Sequence, residues 1–385
     1  MSDRPIDPVA RVQALAALIR EHADVNERQR HLSDEVAFEL ARNGLYRIAA
    51  PPRCGGEAVD PMTQIATIEA AARIDGSTAW NLMIGIESFG LIAPNFEHCA
   101  ELLEDPLAIL CGSTAAVGTA DEIDGGFRIN GRWQFVSGCH NSRIFAGVVQ
   151  RRRGGEPIPH VPIVYAVVVR PDYKILDTWN VGGLCGSGSH DVSITNIDVP
   201  NERILARMGG LPPESPLEHF PLVSRLAYNK VGVALGIARA AIDVFVELAT
   251  GKIPRFTSTS LRHRPFAQRA LAHAEVRLRA ARALVFELVA EMWRNVCAGA
   301  TISLHDRAIF QIACSDAVSA AAEAVDSICE AAGTSANERA SPLERLARDV
   351  RVVRQHITVA PQHIEDGGRV LLGLPPEGAM LKGLP

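Results

Sequence analysis

Strand-forming sequence is confined to one interior stretch, and helical periodicity fills both flanks. From about residue 109 to about 206, short runs rich in Val and Ile are separated by turn chemistry. Before and after, apolar residues recur at helical spacing. This order constrains the fold more than any single motif. Strands and helices that do not alternate cannot build the parallel, helix-covered sheet of a dinucleotide-binding fold. The pattern reads as α+β: an N-terminal helical domain over 1–108, a middle β-barrel-like domain over 109–206, and a C-terminal four-helix bundle over 207–385. A chain of 385 residues exceeds what one core usually holds, so several domains are expected.

The flanks carry explicit boundaries. In "SDEVAFELARNG", Ser33 caps the amino end, Asp34 and Glu35 suit the helix dipole, and Gly44 ends the helix. "PMTQIATIEAAARIDGS" starts a helix near Pro61, and "TAWNLMIGIESFGLIA" is apolar nearly all round, interrupted by Glu87. Beyond residue 217 come four long helical runs, the first ending at Gly251 and the third at Gly333. The fourth, "SPLERLARDVRVVRQHITV", has Ser341 as cap, Pro342 at the first helical position and Glu344 at the capping-box position. Short connections make this an antiparallel bundle.

In the middle stretch, "FRINGRWQF" alternates around Asn130-Gly131, a hairpin signal, and sets Trp133 and Phe135 on one strand face. "IFAGVVQ", "VPIVYAVVV" (161–169) and "VSITNIDVP" are further strands, and "GGLCGSGSH" (182–190) is a Gly-rich turn. "RRR" at 151–153, beside Gly154-Gly155, reads as an exposed hairpin tip.

Several function classes drop out. Net charge is −5 with no long basic stripe, which argues against nucleic acid. The longest apolar run is too short to span a bilayer, and the start has no signal-peptide core. Eight scattered cysteines form no CxxC pair, which argues against a zinc site and for reduced thiols in a cytoplasm.

Five segments then stand together in order: "LSDEVAFELARNGLYRIAAPPRCGGEAVDP", "AARIDGSTAWNL", "GRWQFVSGCHNS", "GGLCGSGSHDVSITNIDVP" and "AAGTSANERASPLERLARDVRVVRQH". With them the chain resembles the acyl-CoA dehydrogenase fold family along nearly its whole length. The motifs W-x-F-x-S-G and PLER-x-x-RD…QH look most like its two-component flavin-dependent monooxygenase branch, which includes hydroxylases of phenols and steroid-derived catechol precursors. The resemblance implies an oxygenase component. It would take reduced FMN or FAD from a separate NAD(P)H:flavin reductase and bind O2 as a C4a-hydroperoxide. It would then oxygenate a small, aromatic or polycyclic substrate, and it would be a homotetramer.

The resemblance also implies residue roles. Trp133 and Phe135 would wall the flat isoalloxazine, and Ser137 would meet its polar edge near the oxygen adduct. An ordinary hairpin with a core-facing aromatic pair reads the same from sequence. Gly186 and Ser187 would approach the flavin, with Gly188 and Ser189 beside them; a plain Gly-rich turn is the alternative. Arg262, with Arg264, would meet flavin phosphates from a neighbouring subunit, and Gly333 in "AAGTSA" would approach the adenine end of FAD. His356, in the fourth bundle helix, would donate to the peroxide or take a substrate proton. His363 would flank the same pocket. Arg348 and Asp349 would orient that helix.

Two departures matter. The first bundle helix holds no Asp or Glu over 219–241, so the dehydrogenase base is missing there. Only Glu365 in "HIEDGG" keeps a thioester-oxidising, FAD-dependent alternative open, beside a flavin-free binding member of the fold. Glu87 stands about where branch members carry a substrate-facing histidine. It would contact substrate, or pair with a buried arginine.

Overall fold

The structure is a computed structural model that describes residues 7–160, 163–206 and 213–382. The chain packs into two compact units. One comprises the residues up to Val59, Trp80–Val181 and Cys185–Glu218; the other comprises Asp60–Ala79, Gly182–Leu184 and the residues from His219 onward.

The N-terminal helices are α1 (Pro8–Ala14), α2 (Ala16–Gln29), α3 (Asp34–Arg42), α4 (Pro61–Ala72) and α5 (Gly76–Leu91). The Ser33 hydroxyl accepts from the Val36 amide, and Gly44 follows α3 at a φ of +67°. Asp60 caps α4 just before Pro61. The expected single helical domain over 1–108 is divided, because α4 belongs with the bundle unit.

The first unit is built on a sheet of β1 (Leu110–Ile123), β2 (Gly126–Val136), β3 (Ile144–Arg153), β4 (Glu156–Pro157), β5 (Ile163–Val169), β6 (Lys174–Leu176), β7 (His190–Pro200) and β8 (Ile204–Leu205). Its path is β6-β7-β2-β1-β3-β5-β8, with β4 on β3. The β1–β3 pair is parallel; the others are antiparallel. The first two residues of the expected 161–169 strand lie outside the described residues. Arg152 and Arg153 do enter a hairpin tip, pairing with Pro157 and Glu156.

Two expectations for this region are corrected. Asn130-Gly131 is no hairpin turn: β2 runs straight through it, and the β1–β2 turn lies at Asp124-Gly125, where Gly125 has a φ of +76°. Asn130 and Gly131 instead sit at a register shift against β7, where the Asn130 side chain accepts from the Asn196 amide at 2.8 Å. The dipeptide was read as a turn because local chemistry alone does not tell a bulge from a turn.

Trp133 and Phe135 do not share a face either. Trp133 pairs with Val192, but the next pair is Val136 with His190, so β2 carries one extra residue. That bulge leaves Trp133 fully buried and Phe135 69% exposed, at a φ of +58°. The Trp133 indole fills the sheet core. Its Nε1–H donates to the Val148 carbonyl at 3.1 Å, and Phe145 packs edge-on at 5.2 Å. Gly118, Gly131 and Gly147, one from each of β1, β2 and β3, line the ring; a Cβ on any of them would come within 2.8 Å of it. Trp133 is a core residue and offers no wall to a ligand.

The second unit holds α6 (Leu222–Gly251), α7 (Pro265–Cys297), α8 (Leu304–Ala332) and α9 (Pro342–Arg354), followed by α10 (Gln362–Leu371) and α11 (Ala379–Lys382). The first four are the expected bundle, joined by α4 on α6 and α10 on α8. α8 is apolar enough to cross a membrane by composition, yet 67% of its most apolar window is buried. Gly232 and Gly236 on α6 make the α4 contact possible. A Cβ on Gly236 would meet the Glu69 carbonyl at 2.4 Å and the Ala72 Cβ at 2.5 Å.

Ser341 does not cap α9 through its side chain, and the Glu344 carboxylate turns to Arg348 at 2.7 Å instead of closing a capping box. An i,i+4 ion pair has displaced the box. α9 also stops at Arg354, so His356 lies beyond the helix, in the turn that follows.

Gly147→Ala and Gly236→Ala are each expected to lower stability by about 1–3 kcal/mol through overpacking. Gly368→Ala in α10, where a Cβ meets open space, is expected to raise it by about 0.5–1 kcal/mol. Urea unfolding midpoints of the three variants check the contrast.

Candidate functional site

The chemistry-bearing residues form two groups, one in each unit. In the sheet unit, the bulge that ejects Phe135 turns Ser137 inward. Phe135 is a bulky residue in the left-handed region, a conformation that costs about 1–3 kcal/mol and persists only where the surroundings impose it. Its ring meets Trp179 edge-on, with centroids 6.1 Å apart.

Ser137 sits in a chain of hydroxyls. The Trp80 indole Nε1–H donates to its Oγ at 3.0 Å. Ser137 Oγ lies 2.7 Å from Ser189 Oγ, which lies 2.8 Å from Ser187 Oγ. Backbone bonds fix this geometry: the Gly138 amide donates to the Ser187 carbonyl at 3.0 Å, and Asn81 Nδ2 donates to the same carbonyl at 3.2 Å. Ser137 and Asn81 also line a cavity of about 10 Å³, together with Tyr46 and Asn141; that is room for about one water.

The Gly-rich turn thus serves Ser137 by supporting it. Gly186 and Ser187 are buried in a short 3-10 turn, and the Ser187 hydroxyl is committed to Ser189. The close approach at Gly188 is to His31, whose Cβ lies 2.9 Å from the place a Gly188 Cβ would take. A direct flavin contact from the Gly186 and Ser187 side is not what this packing provides.

Next to the serines stands a cluster of three imidazoles. His31 stacks on His140 at 4.2 Å, and His190 meets His140 edge-on at 4.9 Å. His31 Nδ1 donates to the Leu32 carbonyl at 2.8 Å. His190 Nδ1 accepts from the Thr178 and Trp179 amides, both at 3.2 Å, so its proton is on Nε2. Burial, then the neighbouring imidazoles and Arg170, pushes His140 down to about 4, with Asp177 opposing; His190 is lowered too, chiefly by burial.

In the bundle unit, His356 and His363 share one turn. Thr358 N–H donates to His356 Nδ1 at 3.3 Å, and the Thr358 hydroxyl lies 2.9 Å from the same nitrogen. An acceptor Nδ1 leaves the proton on Nε2. Gln311 Nε2 donates to the Thr358 carbonyl at 2.8 Å and anchors the turn. Burial, then the charge of Lys230, pushes His356 down to about 3. The ring is therefore neutral at neutral pH. His363 is buried, with its Nε2 on the Ile357 carbonyl. It braces the His356 turn, a role that leaves little for a substrate.

The remaining candidates are separate. Glu87 is 7% exposed within α5. Arg262 is exposed in a short 3-10 turn before α7, with its Nε 3.3 Å from His263 Nε2. Gly333, at a φ of +63°, ends α8 beside a depression of about 360 Å³ that Cys329, Asn337 and Arg351 also line. Lys252 Nζ holds this corner, donating to the Ala332 carbonyl at 2.6 Å and the Ser335 hydroxyl at 2.8 Å. Arg348 bonds the Gly182 carbonyl and Asp349 accepts the Leu184 amide at 2.6 Å, so both side chains hold backbone of the Gly-rich turn. Glu365 lies exposed on α10.

The residues missed from sequence include Trp80, Asn81, Thr358, Lys230 and the three imidazoles His31, His140 and His190. Lys230 left a signal, a lone lysine in the apolar run "AYNKVGVALG"; Trp80 left none, because its helix is apolar nearly all round.

Comparison with known proteins decides the family. The model for the acyl-CoA dehydrogenase N-terminal domain matches residues 10–95, and that for the C-terminal domain matches 229–361. The indole-3-acetate monooxygenase of Pseudomonas putida is 31% identical over 368 residues, covering 94% of each chain. The chain belongs to the acyl-CoA dehydrogenase family. Within it, this is a flavin-dependent monooxygenase. The flavin-dependent monooxygenase oxygenase subunit HsaA of Rhodococcus jostii is 27% identical and covers 91% of this chain and 94% of its own. The crystal structure of 3-HSA hydroxylase from Rhodococcus sp. RHA1 superposes with a TM-score of 0.87 at 26% identity, over 97% of this chain and 98% of that one.

His140 and His356 both have folded pKa values below the ordinary histidine value of 6.5. Between about pH 4 and 6.5 the unfolded chain therefore binds more protons, so stability falls as pH drops through that window. Urea midpoints at pH 7.5 and pH 5 should show the loss, and His140→Gln should shrink it.

Proposed function

We propose that the chain is the oxygenase component of a two-component system. It takes reduced FMN or FAD from a separate NAD(P)H:flavin reductase and uses O2 to oxygenate a small aromatic or polycyclic substrate. The observation that carries this reading is the Phe135–Ser137 bulge. An exposed aromatic, held in a strained conformation beside Trp179, stands two residues from a hydroxyl with an organised partner set. That is the donor set an isoalloxazine asks for: an apolar wall and an aimed edge contact. When bound, reduced flavin would supply the electrons that activate O2.

The chain's own residues then have distinct tasks. Phe135 covers the ring, and Ser137 contacts its polar edge. His356 acts as a donor through Nε2, because Nδ1 is already committed to Thr358. Its neutrality at working pH keeps it from competing as a cation for the substrate. Glu87 and His363 are assigned to the substrate side, His363 through its hold on the His356 turn. Arg262 and Gly333 are assigned to the flavin phosphates and adenine end, in a homotetramer.

The test is rapid mixing of protein and anaerobically reduced FMN or FAD with oxygenated buffer. A protein-dependent transient absorbance is expected, decaying at least about tenfold faster in Ser137→Ala and transferring oxygen poorly in His356→Ala. Direct reoxidation without any protein-dependent phase, in both flavins, would overturn the reading.

A further inference from the structure

We propose that Trp80, Ser189 and Ser187 are positioning residues that let Ser137 act as donor or acceptor without moving. The inference rests on the reading that Ser137 meets the flavin edge.

The argument is a proton count. Ser137, Ser189 and Ser187 bring three hydroxyl hydrogens. Two oxygen–oxygen contacts link them, at 2.7 and 2.8 Å, and each contact uses one hydrogen. One hydrogen is left over, at an end of the chain when the bonds run head to tail and on Ser189 when both ends donate to it. The Trp80 indole is a donor only, so it permanently occupies one lone pair of Ser137. Three arrangements remain; two run head to tail and set the two states of Ser137, and in the third Ser137 and Ser187 both donate to Ser189, which leaves Ser137 as in the second. If Ser187 donates to Ser189 and Ser189 to Ser137, then Ser137 accepts twice and its own hydrogen is free to donate outward. If the chain is reversed, Ser137 donates to Ser189, keeps a lone pair outward, and the spare hydrogen sits on Ser187.

Hydroxyl rotation alone interconverts the two. The oxygens do not have to move, because the backbone bond from Gly138 N–H to the Ser187 carbonyl and the contact from Cys139 Sγ to the Gly188 carbonyl at 3.5 Å hold the segments that carry them. All four side chains are at most 5% exposed, so bulk water competes weakly for these contacts. In such surroundings linked hydrogen bonds polarise one another, and reversal is cooperative. The device matches the chemistry of a flavin edge. A reduced ring offers an N–H and asks for an acceptor; an oxidised ring offers a bare nitrogen and asks for a donor. Both are served by one serine.

The test uses the full chain with ¹⁵N-labelled tryptophan, whose four indole signals are read by TROSY and assigned with Trp80→Phe. Ser187→Ala is expected to shift the Trp80 indole signal, although Ser187 is two links away. It should fail to do so in a Ser189→Ala background. A second readout is hydrogen peroxide released during oxidation of bound reduced flavin. Trp80→Phe should raise its release rate as Ser137→Ala does, by about tenfold, and the double variant should match Ser137→Ala alone. Equal shifts from Ser187→Ala with and without Ser189, or additive effects of Trp80→Phe and Ser137→Ala, would overturn the relay. If the indole coupling holds but Ser137→Ala leaves peroxide release unchanged, the flavin reading of Ser137 fails and the positioning role falls with it.

Discussion

One indole organises the sheet unit. Trp133 occupies the space that three neighbouring strands leave by each presenting a glycine, and its N–H closes on the Val148 carbonyl. A ring of that size fills a core only where backbone comes to within van der Waals distance on several sides, so the positions of β1, β2 and β3 are set against it. Because Trp133 is fixed inward, the extra residue after it has to be absorbed at once. The bulge does this by driving Phe135 through the left-handed region and out to the surface, and by returning Ser137 to the interior. The strained aromatic and the buried hydroxyl are thus two results of one packing decision.

How much of this could be read from the sequence depended on the range of the signal. α3, α4 and the four bundle helices were legible because periodicity and end residues are local. The dipeptide Asn130-Gly131 misled because Gly131 is small for the sake of the Trp133 ring, a tertiary demand that local turn chemistry resembles. Asp124-Gly125, the true turn, carries the same kind of signal, and nothing local ranks one above the other. The α9 pattern runs on to His356 because it does not announce its end: no glycine or proline lies between Leu343 and Gln355. At the candidate site, Ser137 and His356 could be named from motifs. The pairing of Ser137 with Trp80 and Ser189 could not, since these lie 57 and 52 residues away in the chain.

Electrostatics in both units favour neutral imidazole. His140 is kept neutral by burial among other imidazoles, and His356 by burial and by Lys230. At His356 and His190 a backbone or hydroxyl partner holds Nδ1, so the fold chooses the tautomer there. His356 keeps a donor on Nε2, and His190 has its Nδ1 held by two amides. Neutral rings with assigned protons suit oxygen chemistry, in which a stray cation near a reactive oxygen would alter both its basicity and its lifetime.

The close seating of α4 on α6 has a consequence for synthesis. α4 ends at Ala72 and its partner glycine is Gly232, which is 160 residues later in the chain. At about 5–20 residues per second, α4 leaves the ribosome on the order of ten to thirty seconds before the helix that covers it. Ile65, Ile68, Ala71 and Ala72, all buried in the finished protein, must wait uncovered for that time. The nascent chain therefore carries an apolar helix whose partner has not yet been made.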